Sequence, residues 1–220
     1  MLGAAFRAPT SSNIQSYSVI VVRDPETLAK LAVVTSGQKH VANAPVFLAF
    51  CADLTRIDNA VRSNGGNIEG NNLETGLVSS VDAALVGMSA YLAADSLGMK
   101  GVMIGAVRNN ASETSEILGL PRRVFCVFGL VLGWPDKVPP QKPRMAFDSV
   151  VHYEQYGKMK DGTALDPGVA AYDKALAAHY ESIGVKTTPD SWSHDAAKKF
   201  IPEPRQNLRK ELADLGFDFL

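Results

Sequence analysis

The chain has 220 residues, 46% hydrophobic and 20% charged, enough to bury a sizeable core and ordinary for a soluble globular protein. Its 22 basic and 23 acidic residues give a net charge of −1, so no bulk electrostatic attraction draws it to nucleic acid or an anionic membrane. The sequence reads without a secretory leader or an apolar run near the ~18 residues of a membrane span, and Cys51 and Cys126, each inside an apolar run, read as reduced core thiols of a cytoplasmic protein.

The first element is a strand at residues 17–22 ("YSVIVV"), short, apolar and β-branched. A polar run precedes it: Thr10, Ser11, Ser12, Asn13 and Gln15 follow Pro9, either as a solvent turn or as a ledge of hydrogen-bond donors facing a ligand. Asp24-Pro25 starts a helix, with a carboxylate cap before a first-turn proline and Leu28, Leu31 and Ala32 at helical spacing. "PVFLAFCADL" (45–54) is apolar throughout, as expected of a strand covered on both faces. "RSNGGNIEGNN" (62–72) reads as a mobile loop.

A long helix fits residues 73–97, where Leu77, Val81, Leu85, Met88 and Leu92 recur at helical intervals. The same run is rich in Ala, Gly and Ser, which permits close approach by a neighbouring element and suits a central column of the fold or of a dimer. "GVMIGAV" (101–107) is a strand or strand-to-loop segment, "SETSEILGL" (112–120) a helix capped by Ser112 and broken by Pro121, and 123–135 a strand ending in Gly133. Residues 136–170 turn rich in Pro, Gly and Lys; a helix over 170–184 follows, then a last one over roughly 191–216, interrupted by Pro202 and Pro204. The order of strands and helices predicts an α+β or three-layer core with a C-terminal extension.

Ordinary catalytic patterns are absent. The four histidines form no metal-ligand spacing, no GxSxG elbow or Walker loop occurs, and Gly101 and Gly105 lack the GxGxxG order. What remains is four polar or basic clusters beside apolar segments: Thr10 to Asn13; Gln38 and Lys39 after the flexible Gly37; "IGAVRNN" (104–110); and "QKPRM" (141–145). In the last, Pro143 keeps Lys142 and Arg144 on one stiff stretch suited to a phosphate. Taken alone, the first, second and fourth clusters read first as a turn, a helix C-cap loop and a solvated surface loop.

In this order and spacing the clusters resemble the flavin-dependent nitroreductase superfamily, and within it the oxygen-insensitive NADPH nitroreductase and flavin reductase branch. The matching stretches are "APTSSNIQSYSVIVV", "GQKHVANAPVFLAFCADLTR", "AADSLGMKGVMIGAVRNN", "LGLPRRVFCVFGLVLGWP" and "KPRMAFDSVVHYEQY", continuing through "YDKALAAHY" and "DSWSHDAAKKF". The resemblance implies an α+β, three-layer α/β/α fold with a central, mainly antiparallel sheet flanked by helices. It implies one domain over 1–220, with a core at 1–135 and, at 136–220, a C-terminal arm reaching over a dimer partner. It further implies a cytoplasmic homodimer with FMN at the subunit interface. Turnover would be ping-pong, with hydride passing from NADPH or NADH to FMN and electrons then passing to a nitroaromatic, quinone or free flavin.

Residue by residue, the resemblance sets Thr10, Ser11 and Ser12 against the flavin and Asn13 toward the substrate. Gln38 meets the polar edge of the ring, Met103, Ile104, Gly105 and Ala106 lie along it, and Lys142 and Arg144 meet the phosphate or ring edge. Arg205 corresponds to a basic residue near the substrate mouth. No catalytic side chain and no metal are expected, because the cofactor carries the reactivity. The resemblance also implies an N-terminal helix with an arginine-rich His-Arg-Ser-type motif holding the FMN phosphate. The sequence as given opens with "MLGAAFRAPT" and shows no such motif, and Lys142 and Arg144 are the basic pair that the resemblance sets at the phosphate or the ring edge. The alternative expectation is a non-catalytic dimeric relative that binds flavin weakly.

Overall fold

A computed structural model describes residues 1–68 and 72–219; the expected loop at 62–72 falls partly on residues 69–71, outside the described residues. The chain divides into two compact units, Met1–Asp136 with Arg205–Leu220, and Lys137–Pro204.

In the first unit a short helix α1 (Leu2–Ala5) precedes a 3₁₀ turn at Ser11–Asn13 and strand β1 (Tyr17–Val22). Helix α2 (Pro25–Val34) begins as expected, with the Asp24 carboxylate accepting from the Thr27 N–H at 2.9 Å. Next come α3 (Lys39–Ala42), β2 (Val46–Asp53), α4 (Thr55–Ser63), the long α5 (Asn72–Ser96), β3 (Lys100–Ile104), a 3₁₀ segment at Gly105–Asn110, α6 (Ala111–Leu118) and β4 (Val124–Gly133). The cap of α6 is not Ser112. Asn110 takes that place, its side chain accepting from the Glu113 N–H at 3.0 Å while Glu113 accepts in return from the Asn110 amide at 2.8 Å. This reciprocal pair satisfies the first turn two residues earlier than expected.

The strands form one antiparallel sheet in the order β1-β2-β4-β3. The apolar run of β2 sits inside it with both faces covered. Phe47, Ala49 and Cys51 point to one face, with Leu28, Leu31, Val41 and Val107; Leu48 and Phe50 point to the other, with Ala83, Val86, Ala90 and Ala94 of α5. A period of two along β2 therefore holds two core layers apart, giving helix, sheet and helix.

The small residues of α5 face the sheet, and the large ones do not. Leu73, Leu77, Val81, Leu85, Met88 and Leu92 are 40–57% exposed. At Gly87 an added Cβ would lie 2.3 Å from the Phe128 ring, which shows how closely helix and sheet approach. By length and mean hydropathy (1.5), Leu73–Ser96 has the makings of a membrane span, contrary to the sequence expectation. Asp82 at its middle is buried and hydrogen-bonded to Ser11 and Ser16, and this places α5 as a core helix of the sheet.

The expected last helix is two helices. The chain forms α8 (Ser191–Phe200) and α9 (Leu208–Asp214), with Pro202 and Pro204 between them. Helix α9 returns to the first unit, where Leu212 and Phe217 pack with Ala52, Leu54, Ala111 and Phe125. The second unit contains α7 (Val169–Ser182) and α8. There Asp173 of α7 caps α8 in trans, accepting from the N–H groups of Trp192 (2.8 Å) and Ser193 (2.9 Å). The Ser193 hydroxyl and amide, with the Trp192 amide, hold the Asp173 carboxyl below its ordinary value.

Candidate functional site

Arg205 and Gly105, a hundred positions apart in the sequence, meet in the first unit: the Arg205 guanidinium donates to the Gly105 carbonyl at 3.3 Å. It also donates to Asn109 Oδ1 at 3.1 Å, and the Asn109 amide donates to Ser36 Oγ at 3.1 Å. This chain of bonds links the segment after β3, the stretch before α9 and the loop after α2. The last carries Gln38, whose amide oxygen is buried with no hydrogen-bond partner among the described residues. Arg108 sits beside the same segment, donating to the Val127 carbonyl. Burial first, and then the Arg205 charge, lower its pKa. Two guanidinium groups thus raise the potential next to Gly105.

Of the other ring-lining candidates, Ile104 gives its side chain to the core (2% exposed) and pairs with Gly129 of β4, while Met103 on β3 is exposed. Gly105 and Ala106 open the 3₁₀ segment.

Thr10 to Asn13 form an irregular ledge rather than a plain turn. Ser12, Asn13 and Gln15 all take left-handed φ values (47°, 57° and 56°), which cost non-glycine residues energy and persist only where the surroundings fix them. No side-chain bond among the described residues engages the hydroxyls of Thr10, Ser11 or Ser12. Two residues that the sequence reading did not single out hold this ledge. Asp82 accepts from the N–H groups of Ser11 (3.0 Å) and Ser16 (3.2 Å), and Arg56 donates to the carbonyls of Gln15 (3.0 Å) and Tyr17. A signal for Asp82 was present: it is the only charged residue between Glu74 and Asp95 of an otherwise apolar helix.

Arg56 is itself set by Asp53, which also accepts from Ser18 Oγ and from Thr55 N–H at 2.9 Å. Burial pushes the Asp53 carboxyl up; the bonds from Ser18 and Thr55 and the Arg56 charge outweigh it and hold the group below its ordinary 3.8. A depressed carboxyl stabilises the fold above its unfolded-state pKa and loses that contribution as pH falls toward the folded value. Asp53→Asn should therefore unfold at lower urea than the native chain at pH 7, with the gap closing as the pH drops below 3.8. A gap that stays constant over that range would contradict this account.

Lys142 and Arg144 belong to the second unit. Lys142 Nζ donates to Tyr180 Oη at 2.9 Å and lies 5.0 Å from that ring's centre. Arg144 bonds to the carbonyls of Lys142 (3.3 Å) and Pro143 (3.1 Å), leaving much of its fork directed at solvent. The cysteines stay out of the chemistry: Cys51 and Cys126 pair across β2 and β4, and both are buried and free. The Cys51 thiol and burial push the Cys126 thiol well above its ordinary value, which keeps it protonated and unreactive.

Comparison with known proteins finds relatives over most of the chain. The profile described as the nitroreductase family matches residues 1–134, and that of the nitroreductase family, C-terminal domain, matches residues 142–220. An oxygen-insensitive NADPH nitroreductase of Salmonella typhimurium is 36% identical over 217 residues, covering 99% of this chain and 87% of that protein. An NADPH-flavin oxidoreductase of Vibrio harveyi is 32% identical over 98% of this chain and 86% of its own. Among solved structures, the NADPH:FMN oxidoreductase from Vibrio harveyi complexed with NAD+ superposes with a TM-score of 0.83 at 31% identity, over 98% of this chain and 86% of that one. Nitroreductase A from Vibrio parahaemolyticus gives 0.85 at 32%, over 98% and 85%. On profile, identity and fold together, the chain belongs to the nitroreductase family.

Proposed function

We propose that this protein is an FMN-dependent NAD(P)H oxidoreductase that reduces nitroaromatics, quinones or free flavin, and that it acts as a homodimer. The observation that carries the flavin reading is the buried, unpartnered amide oxygen of Gln38. A buried acceptor without a donor is costly, and the ring N3–H of an isoalloxazine is the type of donor it lacks. The residues present therefore fit the cofactor. When bound there, FMN would supply the hydride and electron-transfer chemistry between the nicotinamide and the acceptor.

The chain's own residues bind and orient. Gln38 fixes the polar edge of the ring, Arg205 and Arg108 place positive charge beside Gly105, and Thr10, Ser11, Ser12 and Asn13 present hydroxyl and amide donors to the flavin and the acceptor. Lys142 and Arg144 take the phosphate as charge-assisted donors. Free, buried thiols suit a cytoplasmic setting. The test is direct. Purified protein mixed with excess FMN should retain a yellow flavin absorbance and oxidise NADPH when given nitrofurazone or menadione. Colourless protein with no NADPH oxidation would overturn the reading.

The exposed stripe on α5 supports the dimer. Six large apolar side chains in one row on a helix make a patch that water disfavours and a second copy of the same helix can cover. The 23.6 kDa chain should run as a dimer in light scattering, and Val81→Glu with Leu85→Glu should shift it to monomer. A dimer that survives both substitutions places the interface elsewhere.

A further inference from the structure

Asp82 lies at the middle of α5, fully buried, and all three of its described hydrogen bonds leave its own helix. Oδ1 accepts from the Ser11 N–H at 3.0 Å; Oδ2 accepts from the Ser16 N–H at 3.2 Å and the Ser16 hydroxyl at 3.1 Å. A carboxyl in an apolar helix is costly to bury, so its position needs a reason. The two backbone donors it holds bracket Ser12, Asn13 and Gln15, the three residues of the ledge with left-handed φ. From the far side, Arg56 holds the Gln15 carbonyl at 3.0 Å and that of Tyr17. One group thus fixes amides at both ends of the segment, and the other fixes carbonyls at its exit. Without them the segment is free to relax to ordinary φ values, and its hydroxyls would turn with it.

We propose that Asp82 is a positioning residue: by its bonds to Ser11 and Ser16 it holds the left-handed Ser12, Asn13 and Gln15 between them in the conformation that presents the ledge to its ligand, and thereby sets the affinity of that wall for the flavin. The identity of the ligand rests on the function proposed above; the geometry of the anchor does not. Asp82→Asn is nearly isosteric, keeps one acceptor oxygen and turns an NH₂ donor toward donors that need an acceptor.

Three measurements on the full-length protein separate anchoring from general stability. In the flavin-free protein, amide hydrogen exchange over residues 11–16 should rise roughly tenfold in Asp82→Asn, with β2 and β4 unchanged. The FMN dissociation constant should rise by a similar factor of roughly ten. Gln15→Gly added to Asp82→Asn should recover much of the lost FMN affinity, because glycine adopts positive φ without strain. Ser16→Ala, which removes one of the three bonds and leaves the carboxyl in place, should move both quantities the same way by less. It serves as the milder variant if Asp82→Asn folds poorly. Unaltered exchange over 11–16, unaltered FMN affinity, or absence of any glycine rescue would each overturn the proposal. If the native protein itself retains no FMN, it is the flavin reading that fails, and exchange over 11–16 then decides the anchor alone.

Discussion

Gly129→Ala is expected to destabilise the fold by about 1–3 kcal/mol, the usual range for overpacking a core. Gly129 sits in the middle of β4, paired with Ala49 of β2 on one side and Ile104 of β3 on the other. A Cβ built there would stand 2.0 Å from Phe47 Cζ and 2.5 Å from Cε2, far inside contact distance. The Phe47 ring has little room to withdraw, being fully buried among residues packed on the α2 side of the sheet. Gly87 offers the instructive contrast. Its added Cβ would meet the Phe128 ring at 2.3 Å, but Phe128 is only partly buried and has space to turn, so Gly87→Ala should cost less. Urea unfolding checks both: the midpoint should fall further for Gly129→Ala, with an unchanged slope. Phe47→Leu combined with Gly129→Ala should be less damaging than the two single effects added, because the smaller side chain removes the clash. Strict additivity would mean that the strain lies elsewhere.

The layers of this fold were legible because β2 alternates Phe47, Ala49 and Cys51 against Leu48 and Phe50, so one segment announces two cores. The start of α2 was equally plain, since Asp24 and Pro25 leave the backbone few other choices. The short α1 and α3 were not, because four residues are too few to show a period. Nor was α4, in which Ile57 packs on the core from a run otherwise crowded with charge. The cap of α6 was misplaced because Asn110 and Ser112 both qualify as caps, and only the reciprocal bond with Glu113 separates them.

Helix α5 shows a subtler limit. Its periodic Leu, Val and Met residues mark the open face, while Ala and Gly mark the buried one, since a close sheet selects for small size before hydrophobicity. The contact of Arg205 with Gly105 has no local signature at all. Family resemblance points to both residues, whereas the Asp82 and Arg56 anchors act through backbone bonds of the ledge, which leave no pattern in the sequence around Ser11 to Tyr17.

Arg144→Ala is expected to weaken FMN by roughly 10- to 100-fold, the value of a charge-assisted bond of about 1.5–3 kcal/mol. The second unit presents this side chain from a tethered stretch. Pro143 stiffens the stretch, and its carbonyl accepts from Tyr172 Oη of α7 at 3.2 Å. One residue earlier, Lys142 bonds to Tyr180 of the same helix, so the stretch is tied to α7 at two adjacent points. Lys142 has a phenol for a partner and lends its charge at a fixed place. Arg144 spends one Nη on nearby carbonyls and keeps the remaining fork available for a bidentate grip. Phosphate is what such a fork recognises, and riboflavin, which lacks it, provides the control. Arg144→Ala should leave riboflavin binding nearly unchanged while FMN binding falls, and the native preference for FMN over riboflavin should shrink as salt is added. Arg144→Lys should recover part of the loss, since charge returns without the fork. Equal weakening of FMN and riboflavin would instead assign Arg144 to the ring or to the fold of its own stretch, and would leave the phosphate to another residue.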